Sequence, residues 1–149
     1  MNTKTLKALT ATVSLLAGMT ASYSAMATDT GLQRLDNLGG FSPAIDVFTF
    51  VCPVGSGARA NVNDLAFPNP AGVNVQVVLG RDGAPILQAT DATDDGVPSA
   101  STGIIPESGL YAVAFKKTGA AVEIYRGQVE CCTAAGVCGN PVLTRRINQ

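Results

Sequence analysis

The sequence predicts an all-β protein, a small antiparallel β-sandwich of jelly-roll-like form, behind a cleaved signal peptide. Three observations predict it. Apolar residues recur at every second position in several short runs, the period of a half-buried strand. Sixteen glycines and eight prolines separate those runs, while charged residues make up only 14% of the chain, a balance that favours turns over solvent-facing helices. After residue 27 no amphipathic helical pattern appears.

Residues 1–27 read as a secretory signal peptide. Lys4 and Lys7 form a basic start, residues 8–19 are largely apolar, and Ala25-Met26-Ala27 gives the small-x-small pattern of a cleavage site. The apolar run is too short and too broken by Thr and Ser to span a membrane. Cleavage after Ala27 would remove 27 of 149 residues and start the mature chain at Thr28. The remainder suits one domain. With Lys4 and Lys7 gone, eight basic residues face eleven acidic ones, a formal charge of −3. The expected location is secreted or periplasmic, with no membrane span in the mature chain. A mildly acidic domain with scattered Arg and Lys has no footprint for nucleic acid.

Along the mature chain, residues 28–45 form a leader segment, either a loose extension or an added edge strand. The sandwich itself is expected over 46–132. Residues 46–52 (DVFTFVC) alternate, with Phe48, Phe50 and Cys52 on one face and Val47, Thr49 and Val51 on the other. Pro53, Gly55, Ser56 and Gly57 make a turn. Residues 58–65 are a weaker strand, and Pro68, Asn69, Pro70 and Gly72 break the chain after it. Residues 73–79 (VNVQVVL) are the clearest strand. The Gly80-Arg81-Asp82-Gly83 hairpin turn leads into a short strand at 86–89. A polar, Asp-rich loop covers 90–102, and 103–106 holds a short strand through Ile104 and Ile105. Tyr111, Val113 and Phe115 share one face of the next strand. Residues 121–132 form the last long strand, with a bulge expected at Gly127. Residues 133–149 are expected to be a disulfide-tied tail, with Arg145-Arg146 solvated.

This arrangement resembles the bacterial pre-peptidase C-terminal domain and its relatives. The matching pieces are residues 46–50, the VNVQVVL strand, the Asp-rich loop, residues 109–113 and the strand with Tyr125. The resemblance covers roughly 46–131. It implies a small jelly-roll-like sandwich that accompanies secreted enzymes and binds substrate or matrix. Adjacent cysteines are not part of the usual pattern.

Histidine and tryptophan are absent from the chain. No Ser-His or Cys-His nucleophile pair can form, nor a histidine-ligated metal site. Cys52, Cys131, Cys132 and Cys138 read as two disulfides. Neighbouring strand residues face opposite sides, so one of Cys131 and Cys132 points inward. The preferred pairing is Cys52–Cys131 with Cys132–Cys138; the alternative is Cys52–Cys132 with Cys131–Cys138. Asp91-x-Thr93-x-Asp95-Gly96 partly matches the start of a calcium loop, making Asp91, Asp94 and Asp95 the candidate metal ligands. The twelfth position is Thr102 rather than Glu, and Glu107 is the substitute anchor. Some relatives of the resembled domain bind calcium; the alternative reading is a solvated turn. Glu123 and Glu130 read as surface charges, and Tyr111 and Tyr125 as edge caps with wet hydroxyls, the alternative being part of a carbohydrate or peptide platform. The expected function is a non-catalytic binding or accessory domain. It requires no cofactor other than that calcium, and its partner would be an extracellular protein or polysaccharide. The alternative is a structural subunit of an extracellular filament or envelope assembly, self-associating through strand edges.

Overall fold

The computed structural model describes residues 27–36, 44–65, 73–93, 97–99, 101–119 and 121–148. The signal segment 1–26, the chain break at 68–72, and Asp94, Asp95 and Gly96 lie outside the described residues. Among the described residues nine strands form: β1 (Thr28–Leu35), β2 (Ile45–Cys52), β3 (Ser56–Asp64), β4 (Val75–Gly80), β5 (Leu87–Asp91), β6 (Gly109–Lys117), β7 (Glu123–Thr133), β8 (Cys138–Gly139) and β9 (Thr144–Ile147). No helix occurs among the described residues. The strands make two antiparallel sheets. A four-stranded sheet runs β1-β7-β3, with β8 also paired to β7, and a five-stranded sheet runs β5-β4-β6-β2-β9. Together they form a small β-sandwich.

Alternation decides which side chains meet between the sheets. Phe48, Phe50 and Cys52 of β2, Val75, Val77 and Leu79 of β4, and Tyr111, Val113 and Phe115 of β6 are all buried. From the other sheet come Ala58, Ala60 and Val62 of β3, and Tyr125 and Val129 of β7. The aromatic rings interlock: Phe50 stacks on Tyr111 at 5.3 Å and Phe115 on Tyr125 at 5.0 Å. Burying each such side chain contributes about 1.5–3 kcal/mol.

The bulge expected at Gly127 is not there. β7 keeps an unbroken register with β3, from Ser56↔Thr133 to Asp64↔Tyr125. Gly127 serves a different purpose, because a Cβ at this position would lie 2.3 Å from Cζ of Phe115. The absent side chain lets the Phe115 ring pack against the β7 backbone. The irregularity sits in the partner strand, between Asp29 and Leu32 of β1. There Gly31 has φ +72°, and its N–H donates to Oδ1 of Asp29 at 2.7 Å. Of the two readings of residues 28–45, residues 28–35 are an edge strand.

The polar loop after β5 seals the free edge of β3. Ala58 and Ile105 exchange backbone hydrogen bonds of 3.0 and 2.9 Å. The N–H of Ala60 donates to Oγ1 of Thr102, that of Val62 to Oγ of Ser99, and that of Asp64 to Oδ2 of Asp91. An edge so covered cannot recruit another strand. The expected strand at 103–106 reduces to one bridge between Ala58 and Ile105. Gly57 permits the fit, since a Cβ there would lie 2.1 Å from the Ile105 carbonyl oxygen.

The C-terminal segment is part of the fold rather than a solvated tail. β8 pairs with β7, and β9 pairs with β2. A register shift in the β2–β9 ladder, between Val47 and Phe48, accompanies a split of the Arg145-Arg146 pair. Arg145 turns inward to Asp46, and Arg146 turns outward to Thr49.

Candidate binding face

The four cysteines pair as Cys52–Cys131 and Cys132–Cys138. The first joins β2 to β7 across the two sheets, and its 79-residue separation is worth about 4–5 kcal/mol in the chain-entropy model. The second closes a six-residue step that ties β8 to β7. Formed disulfides fit a non-reducing compartment. No helix among the described residues is long and apolar enough to cross a membrane. The Glu130 carboxylate lies within 4.8 Å of the Cys132 and Cys138 sulfurs, the one three-residue group of potential metal ligands among the described residues. Both sulfurs are consumed by their disulfide, and Glu130 pairs with Nε of Arg59 at 2.5 Å, so the group is not a ligand set.

Several charged residues are internal. Glu123, expected at the surface, is fully buried, as are Asp46 and Asp64. Their positions follow strand parity: Glu123 and Tyr125 alternate on one face of β7, and Asp46 and Phe48 on one face of β2. Asp46 accepts hydrogen bonds from Tyr125 Oη at 2.7 Å and Arg145 Nη2 at 3.0 Å. Burial, then the hydrogen bond to Asp46, raises the Tyr125 hydroxyl far above the ordinary tyrosine pKa. Lys117 is buried too. Desolvation holds its ammonium below the ordinary lysine value, while Glu123 and then Asp36 pull it back up. Tyr111 does not present a wet hydroxyl either, for it donates to the carbonyls of Ile105 and Glu107. Asp91 is buried, with Oδ2 on the Asp64 N–H at 2.9 Å and Oδ1 on the Thr93 N–H at 3.3 Å. Its carboxylate pins β5 to the end of β3.

The outer faces of the two sheets differ in kind. On the four-stranded sheet, charges of both signs pair, Arg59 with Glu130, Arg126 with Asp29 and Arg34 with Asp36, and they flank two exposed apolar side chains, Leu32 and Ile124. This is a solvated face. On the five-stranded sheet, the outward positions of β2 are Ile45, Val47, Thr49 and Val51, and those of β6 are Leu110, Ala112, Ala114 and Lys116. β4 adds Gln76 and Val78, and β5 adds Gln88 and Thr90. No carboxylate stands among them. Val51 and Leu110 are cross-strand partners, 60% and 63% exposed.

Beside that pair runs a groove. Val142, 84% exposed, lines three neighbouring clefts, one of which, bounded by Asp29 and Arg145, lies toward β1. A second cleft, of about 380 Å³, is lined by Thr49, Val51, Leu110, Val142 and Arg146, among others. The third, about 460 Å³, shares Val51 and Val142 and continues past Val137 to the Cys132–Cys138 loop. Among the residues lining these two, Arg146 is the sole charge. Sequence reading missed this face. The available signal was the uncharged outward set Val47, Thr49, Val51, Ala112 and Ala114, which a solvated sheet face does not need. Position 142 could not be placed beside it without the β9 pairing.

No family model, curated protein or solved structure matches the chain.

Proposed function

We propose that this chain is an exported, non-catalytic binding module that docks a partner protein on the outer face of its five-stranded sheet. The contrast in charge between the two outer faces carries the reading: one surrounds its exposed Leu32 and Ile124 with ion pairs, while the other exposes Val51 and Leu110 with no carboxylate among its outward positions. Contiguous exposed apolar surface on a folded domain marks an interaction site. A protein partner is favoured over a polysaccharide. Phe48, Phe50, Tyr111, Phe115 and Tyr125 are all in the core, which leaves no exposed ring for sugar stacking among the described residues. The strand-and-turn resemblance to pre-peptidase C-terminal domains supports an accessory role. So does the absence of histidine, which removes the commonest general base. No cofactor enters the proposal, because the Asp91 carboxylate is turned to protein donors.

Export is tested by N-terminal sequencing of material outside the cytoplasm, which begins at Thr28 if the signal reading holds. The docking role is tested against the assembly role by size-exclusion chromatography. A binding module elutes as a monomer. Polymers that Leu110→Glu dissolves would instead make the chain a filament or envelope subunit that uses this face on itself.

A further inference from the structure

We infer that the groove beside Val142 receives an extended apolar segment of a partner protein carrying a carboxylate, and that Arg146 is the residue that pairs with it. The inference rests on the docking face proposed above and names the chemistry of its occupant. Arg34, Arg59, Arg126 and Arg145 are each committed to a carboxylate of the chain itself. Arg81 donates to the Ser108 carbonyl at 2.5 Å and lies over the Tyr111 ring at 5.7 Å. Arg146 differs from all of these. Its Nε donates at 2.9 Å to a neutral hydroxyl, Oγ1 of Thr49, and the exposed side chain lines the groove. A guanidinium presents a planar fork of donors that matches a carboxylate bidentately.

The groove supplies the apolar half of the recognition. Its clefts of about 380 and 460 Å³ share Val51 and Val142, each within the size range that takes a bulky side chain or small ligand. No carboxylate lines either one, so a cationic segment would meet only Arg146. Charge argues equally against a second copy. Face-to-face stacking of two such sheets would bring Lys116 and Arg146 of each onto a surface that offers no carboxylate in return. An acidic, apolar-centred partner satisfies both halves.

The test uses the 15N-labelled protein and three blocked peptides of equal length. Each has a Val-Leu-Val centre, flanked by Glu, by Gln or by Lys. NMR titration of the Glu peptide shifts the amides of Val51, Leu110 and Val142 and the Arg146 Nε–Hε. It binds about three- to fivefold more tightly than the Gln peptide, with the Lys peptide weakest, and added salt narrows the difference. Arg146→Gln abolishes the Glu preference while leaving the Gln peptide unchanged, and Arg146→Lys retains part of it. Equal binding of the Glu and Lys peptides at the groove would overturn the carboxylate pairing and leave the docking face standing. No shifts, or shifts only on the ion-paired face, would overturn both. Concentration-dependent shifts of the same residues without peptide would make a second copy the occupant and overturn the inference.

Discussion

The Tyr125 hydroxyl donates a 2.7 Å hydrogen bond to Oδ2 of Asp46, bolting β7 of one sheet to β2 of the other. Arg145 completes the bolt from β9, with Nη2 3.0 Å from Oδ1 and its guanidinium carbon 5.6 Å from the centre of the Phe48 ring. A fully buried carboxylate is tolerated because both its oxygens are bonded and one partner is cationic. Arg145→Met would leave Asp46 buried and uncompensated. Because Arg145 is about a third exposed, solvent screens part of the loss, and the expected cost is about 2–3 kcal/mol in urea unfolding. Tyr125→Phe removes a donor and leaves an acceptor short, costing about 1–3 kcal/mol. Since the two changes strike one network, the double variant costs less than their sum.

The same hydroxyl predicts a pH response. Its folded pKa is raised above the ordinary value of 10.0. The stabilisation is therefore fully present below pH 10 and is lost as the unfolded chain deprotonates above it, at about 1.4 kcal/mol per pH unit. The stability gap between the wild type and Tyr125→Phe should be constant from pH 7 to 9. It should close progressively above pH 10. A gap that stays constant through pH 11 would mean that the Tyr125 hydroxyl is not buried against Asp46.

Gly127→Ala places a methyl group against Phe115, 2.3 Å from Cζ. Overpacking of this kind costs about 1–3 kcal/mol. Phe115→Leu shortens the side chain that is struck, so a double-mutant cycle with Gly127→Ala should show a favourable coupling. Purely additive effects would place the ring elsewhere.

Ser99 and Thr102 are expected to guard the β3 edge. Ser99→Ala and Thr102→Val each leave a backbone N–H of β3 without its side-chain acceptor, at about 1–2 kcal/mol apiece. Loosening this cover should also increase concentration-dependent light scattering, because the exposed edge can then pair between molecules. A lower melting temperature without added scattering would restrict the loop to stability alone.

β2, β4 and β6 were readable because the apolar residues of each fall on one face, and strand parity narrowed the disulfides to two pairings, of which the preferred one forms. Two kinds of feature were not. Edge strands β1 (TDTGLQRL) and β9 (TRRI) carry little apolar periodicity, and ladder bonds and side-chain contacts hold them. Asp46, Asp64 and Glu123 occupy inward positions that a hydrophobicity reading assigns to solvent. The Asp46 site becomes acceptable only once tertiary structure brings Tyr125 and Arg145 to it. Gly127 misled for a related reason, since a glycine that admits an aromatic ring across a sandwich looks in sequence like one that breaks a ladder. The proposed docking face was hidden because Val142 reaches the groove only through the β9 pairing.

The central claim is that this protein binds through the five-stranded sheet and not the four-stranded one. Site-specific photocrosslinking compares the two directly. A benzophenone side chain is placed at Leu110 in one variant and at Gln128, on the ion-paired face, in another, each expressed in its native exporting cell. The account predicts one discrete crosslinked protein from position 110, abolished by Val51→Glu, and none from position 128. A crosslink from position 128 alone, or the same product from both positions, would contradict it.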